Sequence, residues 1–548
     1  MDPHIIFDLP FVHHLCDYLL CALCQPAAAF AAAQLVSAAD PRSPVAATAG
    51  GISGSASMTP DQRYVVFVSD AANLTTNRHG AVLDVFLRDR LLARTRLISA
   101  GLDGSSGGDG DSQAPSMSTN GQWVAFHSDA TNLTNGDTNN ATDVFLRDVT
   151  SGVTRLISVS PDGTPCDGPS TYPILSADGR RVAFESLASN LTHHDTNQAP
   201  DVFVADIASG KTILVSVNAA GDTTGNGAST VVDMTPDGRY VLFTSTSSNL
   251  VSGMTNRGRE VFVRDLTAGV TVWASTNAAH LLSGGLIPAE SRNPSLDASG
   301  RHVAFEIYNR NSVLVAYHDL ESGVTQVISS NNLPMYLPGG GTSPGWNYSP
   351  DWAKPRLSAD GRWVAFVSPL LRGTNYVNQV YVWDAETSST TLASANTING
   401  EAANASSDRP VLSAAGRTLA FVSVATDMTS APADGSPQVY VRDLVHGLTS
   451  LASTNRFGAP SDAGDPGAMD LSPDGSGLLF ESIDPQHGRR RPEPRSGCLP
   501  ARPAHRGIGP DLGAGSGAAV SDRQRVQHHG PEWRQCGRPI CGLHQPRR

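Results

Sequence analysis

Apolar and polar positions along this chain fall into one short phrase that keeps returning. Residues 175–186 read LSADGRRVAFES, and residues 357–368 read LSADGRWVAFVS. A polar turn centred on Asp-Gly separates a brief apolar end from a run of apolar residues. Asp-Gly in this setting predicts a tight hairpin, because glycine accepts the positive φ that such a turn requires. Within residues 181–186, strand alternation sends Val182 and Phe184 to one face. Ala183 goes to the other, where a small residue lets a second sheet approach closely.

The phrase occurs eight times. The other copies are MTPDQRYVVFVS (58–69), MSTNGQWVAFHS (117–128), MTPDGRYVLFTS (234–245), LDASGRHVAFEI (296–307), LSAAGRTLAFVS (412–423) and LSPDGSGLLFES (471–482), at steps of 55 to 62 residues. A second phrase follows most copies: DVFLRD at 84–89 and 143–148, DVFVAD at 201–206, EVFVRD at 260–265, QVYVWD at 379–384 and QVYVRD at 438–443, with a looser LVAYHD at 314–319. A third piece closes the unit, as TRLIS at 154–158 and TILVS at 212–216. Between the second and third pieces, Asp148, Asp206, Asp265, Asp319 and Asp443 are each followed four residues later by glycine. That spacing belongs to a longer hairpin loop with glycine in its left-handed position.

Each unit of about 60 residues therefore predicts four short antiparallel strands and no helix. A four-stranded sheet repeated about eight times predicts an all-β chain folded as a β-propeller, in which sheet faces bury one another and edges stay short. A β-solenoid uses shorter rungs, and a string of β-sandwiches needs nearer to ~100 residues per unit. The propeller is expected over residues 34–484, with its last blade truncated because the pattern stops after Asp484. Residues 34–37 (QLVS) read like the end of a repeat placed ahead of the first copy, as in propellers that close the ring with an N-terminal strand.

The repeated S-x-D-G-R-x-V-A-F phrase followed by D-V-F-V-x-D resembles the WD40-like (PD40-type) repeat of the TolB-like propellers, over residues 58–482. The resemblance implies a bacterial, exported binding or interaction scaffold, periplasmic or extracellular. TolB-like propellers also include metal-assisted lyases acting on uronates, so a polysaccharide lyase or hydrolase is the alternative. Such enzymes need several histidines converging on the channel, and His127, His193, His194, His280, His302 and His318 share no common place in the repeat. The propellers of prolyl-oligopeptidase-type enzymes look similar too, but this chain has no G-x-S-x-G nucleophile elbow. No phosphate-binding or dinucleotide fingerprint occurs either.

Charge and cysteine content narrow the remaining possibilities. Net charge is −12 over 548 residues. Residues 485–548 carry twelve arginines against four acidic residues, a net +8 that leaves −20 for the rest. An acidic body argues against nucleic acid as partner, since phosphate contacts need clustered Lys and Arg. Between Cys24 and Cys498 stands only Cys166, so the body has no internal disulfide framework, and the Cys21–Cys24 pair lacks a partner pair at zinc-ribbon spacing. Residues 1–33 contain FVHHLCDYLLCALC before AAAFAAAQ, a signal-like or disordered stretch with an apolar core and small residues but no basic leader. No run approaches the ~18–20 apolar residues of a membrane-spanning helix.

Residues 485–548 read as a disordered basic tail, or as the product of another reading frame. Read one nucleotide later, Gly497–Arg502 allows Asp-Val-Phe-Leu-Arg-Asp, the strand phrase that the last copy is missing.

Two kinds of candidate site remain. The segments ahead of two DVF strands, 137–143 and 195–201, carry oxygen donors at Asp137, Asn139, Asp143, Asp195, Asn197 and Asp201, a pattern that suits calcium. Other copies keep the Asn rather than the carboxylate, and Asn side chains cap turns without a metal, which is the preferred reading. The second candidate is the long insertion at 331–352, where Trp346, Tyr348 and Trp352 offer aromatic tips for a protein or polysaccharide at a propeller face.

Overall fold

The structure, a computed structural model, describes residues 4–8, 34–37 and 53–481, except 77–79, 81, 194, 255–257, 282–288, 310–311, 330–353, 373–374, 431–432, 455–459 and 461–468. All of them belong to one compact unit, Met1–Arg490. They form eight four-stranded antiparallel sheets. Blade 3 shows the pattern: strands Ser170–Leu175, Arg181–Ser186, Asp201–Asp206 and Lys211–Leu214 pair in sequence order. The repeated phrases are the second and third strands, and the closing piece is the fourth.

The first strands of the eight blades are Ser53–Met58, Ser112–Met117, Ser170–Leu175, Ser229–Met234, Glu290–Leu296, Arg356–Leu357, Ser407–Leu412 and Met469–Leu471. Each touches the first strand of the next blade, and the last touches the first, so they form the inner wall of a closed ring.

Both faces of each sheet are buried, which explains the nearly continuous apolar runs. Val182 and Phe184 pack into the core shared with blade 2, while Ala183 packs into the core shared with blade 4. The paired phenylalanines of the two phrases stack across neighbouring strands, as Phe184–Phe203 does with centroids 6.0 Å apart. Arginine from the turn phrase and aspartate from the end of the third strand form ion pairs, Arg63–Asp89, Arg239–Asp265, Arg301–Asp319 and Arg362–Asp384. The phrases recur together because they touch.

The last blade takes two strands, Met469–Leu471 and Gly477–Glu481, from the eighth repeat. Its third and fourth strands come from the other end of the chain: His4–Asp8 pairs with Gly477–Glu481, and Gln34–Leu35 pairs with His4–Asp8. Val36 and Leu479 join Val65 and Phe67 in one core, which closes the ring. The expected N-terminal closure is present, and it also draws on the segment read above as signal-like. Residues 485–548 lie outside the described residues.

Candidate functional site

The inner strands are polar where the second and third strands are apolar: SQAPSM, STYPIL, STVVDM, ESRNPSL and SDRPVL. They face the central channel, so their polarity matches water rather than a core. In six blades the pairing between first and second strand shifts register. At five of these bulges a residue other than glycine takes positive φ, between 47° and 53°: Ser55, Ala114, Tyr172, Asn293 and Arg409. Such a conformation costs an L-residue roughly 1–2 kcal/mol. Bulges of this kind re-aim side chains and gather at functional sites.

Side chains from the ends of the second strands meet these bulges. His127 Nδ1 accepts a hydrogen bond from the Tyr172 amide at 3.3 Å, and the two rings meet edge to face at 5.6 Å. Burial pushes the His127 pKa down, against the pull of Asp129, so the ring is neutral. Glu306 Oε2 accepts from Asn293 Nδ2 at 2.9 Å and from Arg292 Nε at 3.3 Å, and the Arg292 guanidinium lies 3.8 Å over the Tyr308 ring. Glu481 Oε1 accepts from the Ser55 amide of blade 1. Burial pushes Glu185 up, with the Thr230 hydroxyl and the Arg259 charge opposing it.

Deeper in the channel, inner strands of three blades bring charge together. Asp470 Oδ2 accepts from the Met58 amide of the next blade at 3.0 Å. Ser116 and Ser295 make the same inter-blade bond from the same repeat position, to Leu175 at 2.9 Å and Leu357 at 3.1 Å. A serine is enough for that bond, so the charge of Asp470 is surplus to it. Burial pushes Asp470 up to about 6, with the Arg356 guanidinium pulling the other way. Burial also raises Asp233, against Lys354 and Arg356. Arg356 of blade 6 thus faces carboxylates from blades 4 and 8. Lys354 is one of only two lysines in the chain.

Sequence reasoning passed over this set. The visible signal was the position just before the last residue of each inner strand, where Asp233, Arg356 and Asp470 stand in place of the serine of blades 1, 2 and 5. Without the ring, nothing showed that these positions share one space.

The predicted sites fare differently. Trp346, Tyr348 and Trp352 lie outside the described residues. The two acidic segments form matching turns: Asn139 Oδ1 accepts from the Ala141 amide, Asn197 Oδ1 from the Ala199 amide, and Asn140 and Gln198 both take positive φ. The capping role of asparagine is therefore present in both. Asp143 and Asp201 also latch the third strand to the fourth, accepting from Ser158 and Ser216 at 2.5 Å. Burial pushes Asp201 up to about 7 and raises Asp143 as well. Asp137 is pushed up to about 6 by burial and by the neighbouring Asp143 charge. Among the described residues no three His, Cys, Asp or Glu side chains cluster as a metal site. The described histidines are scattered: His302 pairs with Asp297, His318 with Thr325, and only His127 meets a bulge.

No family model and no curated protein matches this chain. Solved structures do. TolB from Acinetobacter baumannii is similar at 15% identity over 62% of this chain and 62% of its own, with a TM-score of 0.30. An oligogalacturonate lyase from Vibrio parahaemolyticus matches at 13% identity over 71% of this chain and 88% of its own, TM-score 0.38. The β-propeller domain of the Trilobed protease from Pyrococcus furiosus matches at 8% over 73% and 97%, TM-score 0.36. In fold the chain is a β-propeller, as its repeats and eight four-stranded sheets show. Among the described residues no helix is long and apolar enough to cross a membrane.

Proposed function

We propose that this chain is a non-enzymatic binding propeller, exported to the periplasm or the outside of a bacterial cell, that takes a charged extended segment of a partner protein at its central channel. The observation supporting this is the convergence of Asp233, Lys354, Arg356 and Asp470 from three blades, below a mouth built of bulged inner strands. A channel holding both signs of charge suits a peptide segment that also carries both. A uniformly anionic polymer would meet Asp233, Asp470, Glu185 and Glu306 as repulsion. Export is inferred from the resemblance of the repeats to those of TolB-like propellers.

A photocrosslinking residue at Tyr172 tests the reading. It is expected to capture a protein partner in producing cells, Arg356→Glu to abolish that capture, and the same probe at exposed Val153 on an outer strand to capture nothing. Equal capture at both positions, or none at Tyr172, overturns the channel reading. Fractionation is expected to place the protein outside the cytoplasm. The second reading is a metal-assisted polysaccharide lyase or hydrolase. It requires metal-dependent cleavage of uronate polymers, read as newly formed unsaturated ends.

A further inference from the structure

The loop between the second and third strands of blade 2 holds three buried oxygens without a direct hydrogen bond of normal length. They are Thr134 Oγ1, Asp137 Oδ1 and Asp143 Oδ2. The Asp137 side chain is 8% exposed and that of Asp143 is fully covered, and the two carboxylates repel each other. Buried polar atoms are almost always paired, so orphaned acceptors beside two like charges need a positive partner. No cation of the protein supplies it: among the described residues no arginine, lysine or histidine bonds or ion-pairs with either carboxylate.

The equivalent loop of blade 3 is the internal comparison. There Asp201 is bonded on both oxygens, Oδ1 from Ser216 at 2.5 Å and Oδ2 from Asn197 at 2.7 Å. Asn197 also donates to the Gly225 carbonyl at 2.7 Å, as Asn139 does to the Cys166 carbonyl at 2.8 Å. Thr192 Oγ1 is orphaned like Thr134 Oγ1. The loops differ in that the Asn139 amide, though near enough to Asp143 to pull its pKa down, leaves Asp143 Oδ2 without a direct hydrogen bond. Two loops with the same turn thus differ in whether their acidic oxygens are spent.

From these orphaned oxygens we infer that the blade-2 loop binds a calcium ion through Thr134, Asp137 and Asp143, and that the blade-3 loop does not. The donors are all oxygen, which selects a hard cation. The nearby Cys166 thiol is no ligand: it donates to Asp143 Oδ1 at 3.2 Å and to the Gly168 carbonyl at 3.0 Å. Calcium tolerates the irregular geometry of a loop and fills its remaining positions with water, whereas magnesium demands a near-ideal octahedron. Asp137 lies just beneath the surface, close enough for an ion to enter. With two carboxylates, affinity is expected in the weak range of extracellular modules, Kd on the order of 10⁻⁴–10⁻³ M.

The test uses the full chain stripped with chelator, with melting temperature and calorimetric titration read against added calcium chloride. Calcium at several millimolar is expected to raise the melting temperature by a few degrees, and magnesium at the same concentration to do much less. Asp137→Asn is expected to abolish the calcium shift while melting no lower than the parent in chelator, because it removes one of two repelling charges. Thr134→Val, a smaller change, is expected to weaken calcium affinity severalfold. Asp195→Asn in blade 3 is expected to leave the shift intact. The inference is overturned by a parent that shows neither shift nor heat, by an equal magnesium response, by an Asp137→Asn chain that keeps the shift, or by an Asp195→Asn chain that loses it. None of these outcomes depends on what the channel binds.

Discussion

Ser394 shows how much one hydroxyl carries in this fold. It donates to Gln379 Oε1 at 2.5 Å and accepts from the Val380 amide at 3.0 Å, fastening the start of a third strand to the end of a fourth. The same latch recurs with Asp84, Asp143, Asp201, Glu260 and Gln438 as acceptors. Ser394→Ala leaves a buried amide and a buried carbonyl oxygen without that partner. A loss of about 1–3 kcal/mol is expected in denaturant unfolding. The acceptor's identity matters as well. Burial pushes Glu260 up to about 7 from 4.5, against bonds from Ser275 and Trp273. The folded state therefore holds its proton more tightly than the unfolded state, and this residue's contribution to stability falls as pH rises from 4.5 toward 7. Glu260→Gln keeps the acceptor and removes the charge, as Gln379 and Gln438 already do in blades 6 and 7. It is expected to stabilise by about 2 kcal/mol at alkaline pH and by little near pH 4, measured as paired unfolding curves.

Single strands show where local preference yields to the ring. The inner strands hold Ala114 at a φ of 47°, a conformation glycine adopts without strain. Ala114→Gly is expected to stabilise blade 2 by about 0.5–1 kcal/mol, since relief of the left-handed strain outweighs glycine's extra unfolded-state freedom. A destabilised variant would mean the bulge is not strained. The strand His4–Asp8 is expected to matter more than its place near the chain's start suggests. Deleting residues 1–8 uncovers the edge of Gly477–Glu481, whose backbone it pairs along its whole length. Hydrogen exchange at 478–481 is expected to accelerate by orders of magnitude, with blades 3 and 4 unaffected. Unchanged protection there would show that this strand does not complete the last blade.

Around the whole molecule, one contact repeats at every junction and inverts at the last. The turn glycine of each blade packs on the first side chain of the preceding blade's second strand: Gly121 on Tyr64, Gly179 on Trp123, Gly300 on Tyr240, Gly416 on Trp363. A Cβ on Gly416 would lie 2.1 Å from Trp363 Cδ1, so the turn must be glycine for its space as well as its φ. Between blades 8 and 1 the roles are exchanged. Gln62 takes the turn position at a φ of 59°, and Gly477 takes the place of the large residue, with Gln62 filling the space a Cβ there would need. Gln62 Nε2 then donates to Ser476 Oγ at 2.6 Å. Gly477→Tyr alone is expected to cost about 1–3 kcal/mol by overpacking. Adding Gln62→Gly is expected to restore much of that by giving this junction the form of the others, a coupling of at least ~0.5 kcal/mol in a double-mutant cycle. Additive effects would mean that blades 1 and 8 do not meet.

The repeat was legible because hairpin chemistry is local. Asp-Gly turns, alternating V-A-F strands and a fixed period specify four strands per unit whatever surrounds them, and eight units of that kind have few ways to bury two apolar faces each. The two acidic loops were legible for the same reason, as oxygen donors close in sequence. What tertiary structure decided is everything that depends on positions about 60 residues apart. Asp233, Arg356 and Asp470 look like scattered polar residues in weak strands until the ring places them around one channel. The difference between the loops at 137–143 and 195–201 rests on whether one asparagine amide, besides bonding a carbonyl, also bonds the aspartate four residues on, which the near-identical sequences do not encode locally. Closure of the last blade by His4–Asp8 is likewise a long-range choice, because any apolar strand of the right length satisfies an open edge and only the geometry of the ring brings that one to it.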